Sequence, residues 1–239
     1  MSKQITTVFF DIDGVIFNRN QAEKEAVFSV LKTECNTLRN DYLDVWKKSN
    51  AIVWNECAVG KMTAEFAKYF RWQLLLKEYG IEISIDRAYT LSQQYYRLTC
   101  NKKYLVKDIQ SVLKECQRQG LSMCIITNGF EDVQKNKLIQ CGVESYFSEI
   151  ITERKTGYRK PDIRIFQSAL DSMNVKASEA IYIGNSYEED IIPAVQIGMS
   201  AIWFDCNRIV SSFKHSEIFL NVYLIDYALE ILPIIFSIK

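Results

Sequence analysis

The chain has 239 residues, 48% of them apolar, and 29 Lys and Arg stand against 29 Asp and Glu. That length holds one large domain, or a domain carrying an insertion, with ample apolar material for a core. Balanced charge, with no basic stripe interleaved with aromatics, argues against a nucleic-acid polymer or an acidic membrane surface as partner.

The first predicted element is a strand over Ile5–Phe10, β-branched and aromatic and so suited to burial in a sheet. It runs into Asp11, Ile12, Asp13 and Gly14. In an open α/β sheet ligands bind outside the carboxyl ends of strands, which is where Asp11 falls. A carboxylate there is costly to bury unless it is paired or metal-bound. If strand geometry persists one residue further, Asp11 and Asp13 point the same way and Ile12 points back into protein. Two carboxylates in one small site can divide labour, one ionised as nucleophile or metal ligand and the other protonated as a general acid. Taken alone, the pair suits a strand followed by an acidic turn equally well.

Residues from about 21 to 100 lack strand runs and are rich in helix formers. Helices are predicted over about 21–38, 41–58, 63–79 and 86–100, with Thr63 and Ser84 as N-caps and Gly60 and Gly80 at breaks. Trp46, Trp54, Tyr69, Phe70, Trp72, Tyr95 and Tyr96 fall in this block. Aromatics at helical spacing usually form a core; the alternative is a platform on which a nucleobase stacks.

From about residue 105 the texture changes. A helix near 107–119 ends at Gly120, and an apolar run over Leu121–Ile126 follows. Then come a helix near 130–140, a strand near Ser148–Ile151, a helix over Pro161–Met173, a strand over Ala180–Ile183, a helix near 187–197 and a strand over Ser200–Phe204. Such alternation implies βαβ units, and with right-handed crossovers the fold class is α/β, a doubly wound, Rossmann-like parallel sheet. The helical block interrupts that sheet after its first strand. The predicted division is a sheet core of residues 1–18 and 103–239 and an inserted helical domain of residues 19–102.

The later strand ends carry their own polar groups. Thr127, Asn128 and Gly129 follow one strand, and a hydroxyl, an amide and a flexible backbone suit phosphate oxygens or a capped turn. Lys160, with Lys155 and Arg159 as competitors, precedes Pro161 at the start of a helix. Gly184, Asn185 and Ser186 follow the next strand, with Glu189 and Asp190 in the first turn of the helix beyond. Acids there complement the helix dipole or ligate a hard metal. The apolar stretch Ile218–Ile238 is interrupted by Asn221, Asp226, Glu230 and Pro233, so it reads as a strand, Val222–Ile225, and a packed helix, not a membrane span.

The single histidine, His215, sits in a polar segment and reads as surface loop. Seven cysteines at 35, 57, 100, 116, 124, 141 and 206 include no CxxC pair, which argues against zinc. Their odd number, with no signal peptide, fits a reducing cytoplasm, with most of them acting as small buried hydrophobes.

In this order, and each at a strand's end, Asp11-x-Asp13, Thr127-Asn128-Gly129, Lys160-Pro161 and Gly184-Asn185-Ser186-x3-Asp190 resemble the four motifs of the haloacid dehalogenase superfamily. The insertion point resembles a type 1 helical cap of its phosphatase branch. Trp54, the run Gly60 to Thr63, Phe70 and the run Ile125 to Phe130 are similar to the bacterial pyrimidine nucleotidase group. The resemblance implies an Mg²⁺-dependent phosphoester hydrolase. Its substrate would be a small phosphorylated metabolite, a nucleoside monophosphate or sugar phosphate, cleaved through an aspartyl-phosphate. On this chain Asp11 would be the nucleophile, and Asp13 would protonate the leaving alcohol and then deprotonate water. Thr127, with the backbone of Asn128 and Gly129, would bind the phosphoryl group, and Lys160 would neutralise charge and hold Asp11 ionised. Mg²⁺ would be held by Asp11, the Asp13 carbonyl and the fourth motif, through Asn185 and Asp190.

Asn185 departs from the pattern, because the family usually has Asp there as a direct metal ligand. Its amide still offers an oxygen, but one negative charge is lost, so the expectation is weaker metal binding with Glu189 and Asp190 compensating. Three rivals remain. A 2-haloacid dehalogenase uses the same nucleophile on carbon, without metal and without need of Asp13. A phosphomutase shares the first motif. A phosphate-binding or partner-binding protein keeps the fold without turnover.

Overall fold

The computed structural model describes residues 4–204 and 221–238, so Cys206 and His215 lie outside the described residues. The chain divides into two compact units, one of Met1–Arg19 with Lys102–Lys239 and the other of Asn20–Asn101. The first is built on a six-stranded sheet in the order β3-β2-β1-β4-β5-β6. Its strands are β1 (Thr7–Phe10), β2 (Ser122–Thr127), β3 (Glu149–Thr152), β4 (Ala180–Gly184), β5 (Ser200–Phe204) and β6 (Val222–Ile225). Every pairing is parallel. β1 lies at the centre, with Thr7 opposite Ser122 on one side and Ala180 on the other. All four of its residues are buried, as expected of a strand covered on both faces. The chain runs outward from β1 through β2 to β3, then returns to the far side of β1 for β4. That reversal is a topological switch point, the place where ligands bind in such sheets.

The second unit contains α1 (Arg19–Glu34, whose first residue belongs to the sheet unit), α2 (Tyr42–Ala58), α3 (Ala64–Lys77) and α4 (Ile85–Thr99). Thr63 and Ser84 cap α3 and α4, their hydroxyls accepting from Phe66 N and Arg87 N at 3.2 Å each. α1 stops at Glu34, short of the expected 38, because Asn36 and Thr37 favour turn geometry over helix. Trp46, Trp72 and Tyr95 are buried against one another, with ring centroids 4.7 to 5.7 Å apart, and form this unit's own core. The Arg71 guanidinium lies over Trp46, Tyr95 and Tyr96.

The sheet unit carries α5 (Ile109–Arg118), α6 (Glu131–Cys141), a single turn α7 (Glu153–Thr156), α8 (Ile163–Met173), α9 (Ile192–Gln196) and α10 (Ile231–Ser237). α8 starts two residues later than predicted, because Asp162 caps it by accepting from Arg164 N at 2.9 Å, which leaves Pro161 outside. The helix expected over 187–197 opens as a wider π-helical turn over Tyr187–Ile191. Pro193, which has no N–H to donate, lies just beyond it at the start of α9. The sheet's core gathers Phe9, Ile126, Phe166, Tyr182 and Trp203. Among the described residues no helix is long and apolar enough to cross a membrane. The six described cysteines are free thiols.

Phe9 is wholly buried at the centre of this core. Phe9→Ala is expected to lower the unfolding free energy by about 3–5 kcal/mol, read from urea denaturation. A loss under about 1 kcal/mol would show that the site collapses around the smaller side chain.

Candidate active site

The groups at the ends of β1, β2 and β4 meet around one ammonium. Lys160 Nζ donates to Asp11 Oδ1 at 2.9 Å, to Asp190 Oδ1 at 2.6 Å and to the Tyr182 hydroxyl at 3.1 Å. All four residues are buried. The Lys160 backbone is held separately by the Asn128 side chain, whose Nδ2 donates to Lys160 O at 3.0 Å and whose Oδ1 accepts from Lys160 N at 2.8 Å. Of its two basic competitors, Lys155 instead pairs with Glu149 at 3.3 Å, and Arg159 is exposed.

Asp13 turns to a different cation. Lys137 Nζ on α6 donates to Asp13 Oδ1 at 2.7 Å, and Gln134 Nε2, one turn earlier, donates to Asp13 Oδ2 at 3.0 Å. The same Gln134 amide lies 3.3 Å from Thr127 Oγ1, which also accepts from Gly129 N at 3.1 Å. The trio expected to bind phosphate is therefore partly engaged. The Asn128 side chain is committed to Lys160, and the Gly129 amide to Thr127. The Thr127 hydroxyl proton stays available for an incoming oxygen.

Asp190 does not stand as a free metal ligand. Its Oδ1 accepts from Lys160 Nζ at 2.6 Å and from the Tyr182 hydroxyl at 3.0 Å, and its Oδ2 accepts from Asn185 N and Ser186 N at 3.0 Å each. These contacts fill the four lone-pair positions of a carboxylate. Asp190 thus orients Lys160 and shapes the loop after β4. Glu189 Oε2 lies 3.4 Å from the Asn128 amide. Asn185 is placed differently. Its side-chain amide lies so close to Gly14 that any Cβ there would collide with it, and Gly14 takes a left-handed φ of +102° that favours glycine. This brings the amide against the Asp11–Gly14 loop.

Three carboxylates (Asp11, Asp13 and Asp190) are hydrogen-bonded to two ammonium groups (Lys137 and Lys160). Burial pushes Asp11 up to about 7 against the pull of Lys160, and Asp190 and Asp13 push the same way as burial. Burial also acts to raise Asp13, but Lys137 and Arg19 outweigh it and hold that carboxyl down at about 2. Lys160 stays charged: burial opposes its charge, but Asp11 and Asp190 raise it well above the ordinary lysine value.

Among the described residues no three His, Cys, Asp or Glu side chains converge as a ready metal cage. Of the expected ligands, the second Asp11 carboxylate oxygen, the Asn185 amide oxygen and the Asp13 carbonyl stay available to a cation, and Gln134 Oε1 is a further buried oxygen without a hydrogen bond. An oxygen-only set with one anionic side chain fits a hard cation that keeps several of its waters, and Mg²⁺ is such a cation.

Gln134, Lys137 and Tyr182 were not among the residues singled out from sequence. Gln134 and Lys137 belong to the buried face of α6 with Leu138 and Cys141, so their signal is polarity at helical spacing on an inward face. Tyr182 carries the one polar side-chain tip in the buried strand Ala-Ile-Tyr-Ile-Gly.

Residues 8–204 match a family model described as haloacid dehalogenase-like hydrolase. The HAD-hydrolase YfnB of Bacillus subtilis is 28% identical over 204 residues, 85% of each chain. A glyceraldehyde 3-phosphate phosphatase of Methanocaldococcus jannaschii is 27% identical over 203 residues, covering 83% of this chain and 84% of its own. A solved structure of YfnB bound to magnesium superposes with a TM-score of 0.79 at 25% identity, over 97% of this chain and 99% of that one.

The raised Asp11 carboxyl has a consequence for stability. Its value is about 7 in the folded protein against 3.8 as the ordinary carboxylate value. Between those pH values the folded state holds the extra proton, so stability is greatest below the lower value and falls as pH rises through the upper one. Asp11→Asn removes that loss. The variant is expected to unfold at higher urea than wild type at pH 8, with the gap narrowing towards pH 4. Equal midpoints at pH 8 would show that ionised Asp11 carries no net penalty.

Proposed function

Because the chain belongs to the haloacid dehalogenase-like hydrolases, we propose that it hydrolyses phosphate monoesters of small metabolites, with Asp11 as nucleophile. The observation that carries this reading is the buried Lys160 ammonium set against Asp11, with Asp13 and Thr127 beside them. Phosphoryl transfer needs positioning and charge stabilisation more than covalent machinery. A carboxylate nucleophile splits the hydrolysis into two easier steps.

In the first step an Asp11 carboxylate oxygen attacks phosphorus, the bond to the leaving oxygen breaks, and an aspartyl-phosphate forms. The Thr127 hydroxyl binds a phosphoryl oxygen, and Asp13 delivers a proton to the departing alkoxide. Lys160, whose three N–H donors are taken by Asp11, Asp190 and Tyr182, supplies positive charge beside the nucleophile. In the second step Asp13 takes a proton from water, which attacks phosphorus and frees Asp11. Asp13 begins ionised, ready as the base of the second step. A phosphate dianion brought beside it favours uptake of the proton it needs as acid. Asp11, the Asp13 carbonyl and Asn185 would hold Mg²⁺, which when bound supplies charge that favours ionised Asp11 and neutralises the phosphoryl oxygens. Asp190, with its oxygens filled, is assigned to positioning Lys160.

The helical unit of residues 19–102 is read as the cap in which substrate is chosen, and the sheet unit of 1–18 and 103–239 as the seat of chemistry. A sugar phosphate or nucleoside monophosphate is the substrate class, and the cytoplasm the compartment, a reading the free thiols support.

A screen of sugar phosphates and nucleoside monophosphates, with and without Mg²⁺, tests the activity. Asp11→Asn is expected to lose at least about a thousandfold in kcat. Unchanged turnover in that variant, or halide release from chloroacetate in place of phosphate release, would overturn the reading. Asn185→Asp restores a negative charge against Gly14 and is expected to tighten Mg²⁺ binding in isothermal titration. If wild type binds no Mg²⁺ at millimolar concentration, the metal assignment is wrong.

A further inference from the structure

The phosphatase reading employs Asp13 as proton shuttle but gives no work to the two side chains that grip it. Both reach inward from α6. Gln134 is 1% exposed and Lys137 is 7% exposed. A charge or an amide is costly to bury without a partner, and here the partners are the two oxygens of Asp13, each with one donor. With a donor on each oxygen, the carboxylate can neither spin nor swing without breaking a charge-assisted bond. The Lys137 ammonium is itself backed by the Phe17 ring, 5.2 Å away.

Gly129 shows how closely this arrangement is fitted. It does not use the left-handed φ that glycine permits, yet any Cβ there would collide with the Gln134 amide. Its missing side chain is therefore the space through which Gln134 reaches Asp13 and Thr127. One amide thus ties the proton shuttle to the phosphate-binding hydroxyl.

We propose that Gln134 and Lys137 are positioning residues for Asp13. Together they hold its carboxyl group where it meets the leaving oxygen, so that they govern how basic a leaving group the enzyme can expel. The proposal rests on the phosphatase reading. Its signature follows from the chemistry. An alkoxide departs only with a proton, whereas a nitrophenolate departs without one. A misaimed Asp13 therefore slows alkyl phosphates far more than aryl phosphates. A merely structural role would slow both alike.

The test compares kcat/KM for p-nitrophenyl phosphate and glycerol phosphate in wild type, K137M, Q134L and K137R. Removing one partner of a buried ion pair can unfold a protein, so Q134L, which leaves no charge unpaired, carries the test if K137M fails to fold by circular dichroism. Expected is a loss of about a hundredfold on glycerol phosphate against about threefold or less on p-nitrophenyl phosphate, with K137R recovering most of the difference. Equal losses on both substrates in a folded variant, or no loss on glycerol phosphate, would overturn the positioning role. Wild type inactive on both substrates would overturn the phosphatase reading, and the proposal with it.

Discussion

The structure turns on one buried ammonium. Lys160 has its Nζ occupied by Asp11, Asp190 and Tyr182, and its backbone gripped on both sides by Asn128. An isolated buried cation would be untenable. Two carboxylates and a hydroxyl make this one favourable, and it in turn lets Asp11 and Asp190 lie close together without repelling each other apart. Residues from β1, from the loop after β2 and from β4 and its following turn are bound to this lysine. Lys160 is thus the joint at which the strand ends are fastened, and in the proposed reaction it is also the charge beside the nucleophile.

Environment, not residue type, divides the work among the three carboxylates. Asp11 is pressed towards neutrality by burial, Asp13 is held ionised by Lys137 and Arg19, and Asp190 is saturated by hydrogen bonds. Separation of this kind between neighbouring acids is how one fold runs acid and base chemistry side by side. Asn185 fits the same economy of charge. An aspartate in its place would add a fourth carboxylate to a set with two hydrogen-bonded ammonium groups, and would lean more heavily on a bound cation for compensation.

Much of this was legible in the sequence because it is local. Apolar runs ending in polar residues mark strand ends, and strands alternating with helices mark a parallel sheet. Thr63 and Ser84 announce the helices they cap. From sequence Asp190 reads as a metal ligand, because acids in a first helical turn look alike whether they face solvent, metal or lysine, and only the fold aims this carboxylate at Lys160. Gln134, Lys137 and Tyr182 were missed for a related reason. Gln134 and Lys137 meet Asp13 from far along the chain, Tyr182 on β4 meets Lys160 ahead of α8, and a buried polar side chain on a helix or strand is silent until its partner is placed opposite. The wide turn before α9 depends on Pro193 just downstream, and a single proline does not reveal whether the chain before it bends, widens or stops.

The position of β1 also bears on how the protein is made. β1 precedes both of its neighbours in the chain yet lies at the centre of the sheet, where Thr7 must wait for Ser122 and then Ala180. Until then its exposed edges and the apolar run that precedes Asp11 have no partner in the sheet. Pairings so distant in the chain are slow to form and open to misassembly. Asp11, the proposed nucleophile, leaves the ribosome well before the lysine and the loop that complete its surroundings. The set of charges around Asp11 is therefore complete only once Asp190 has joined Lys160.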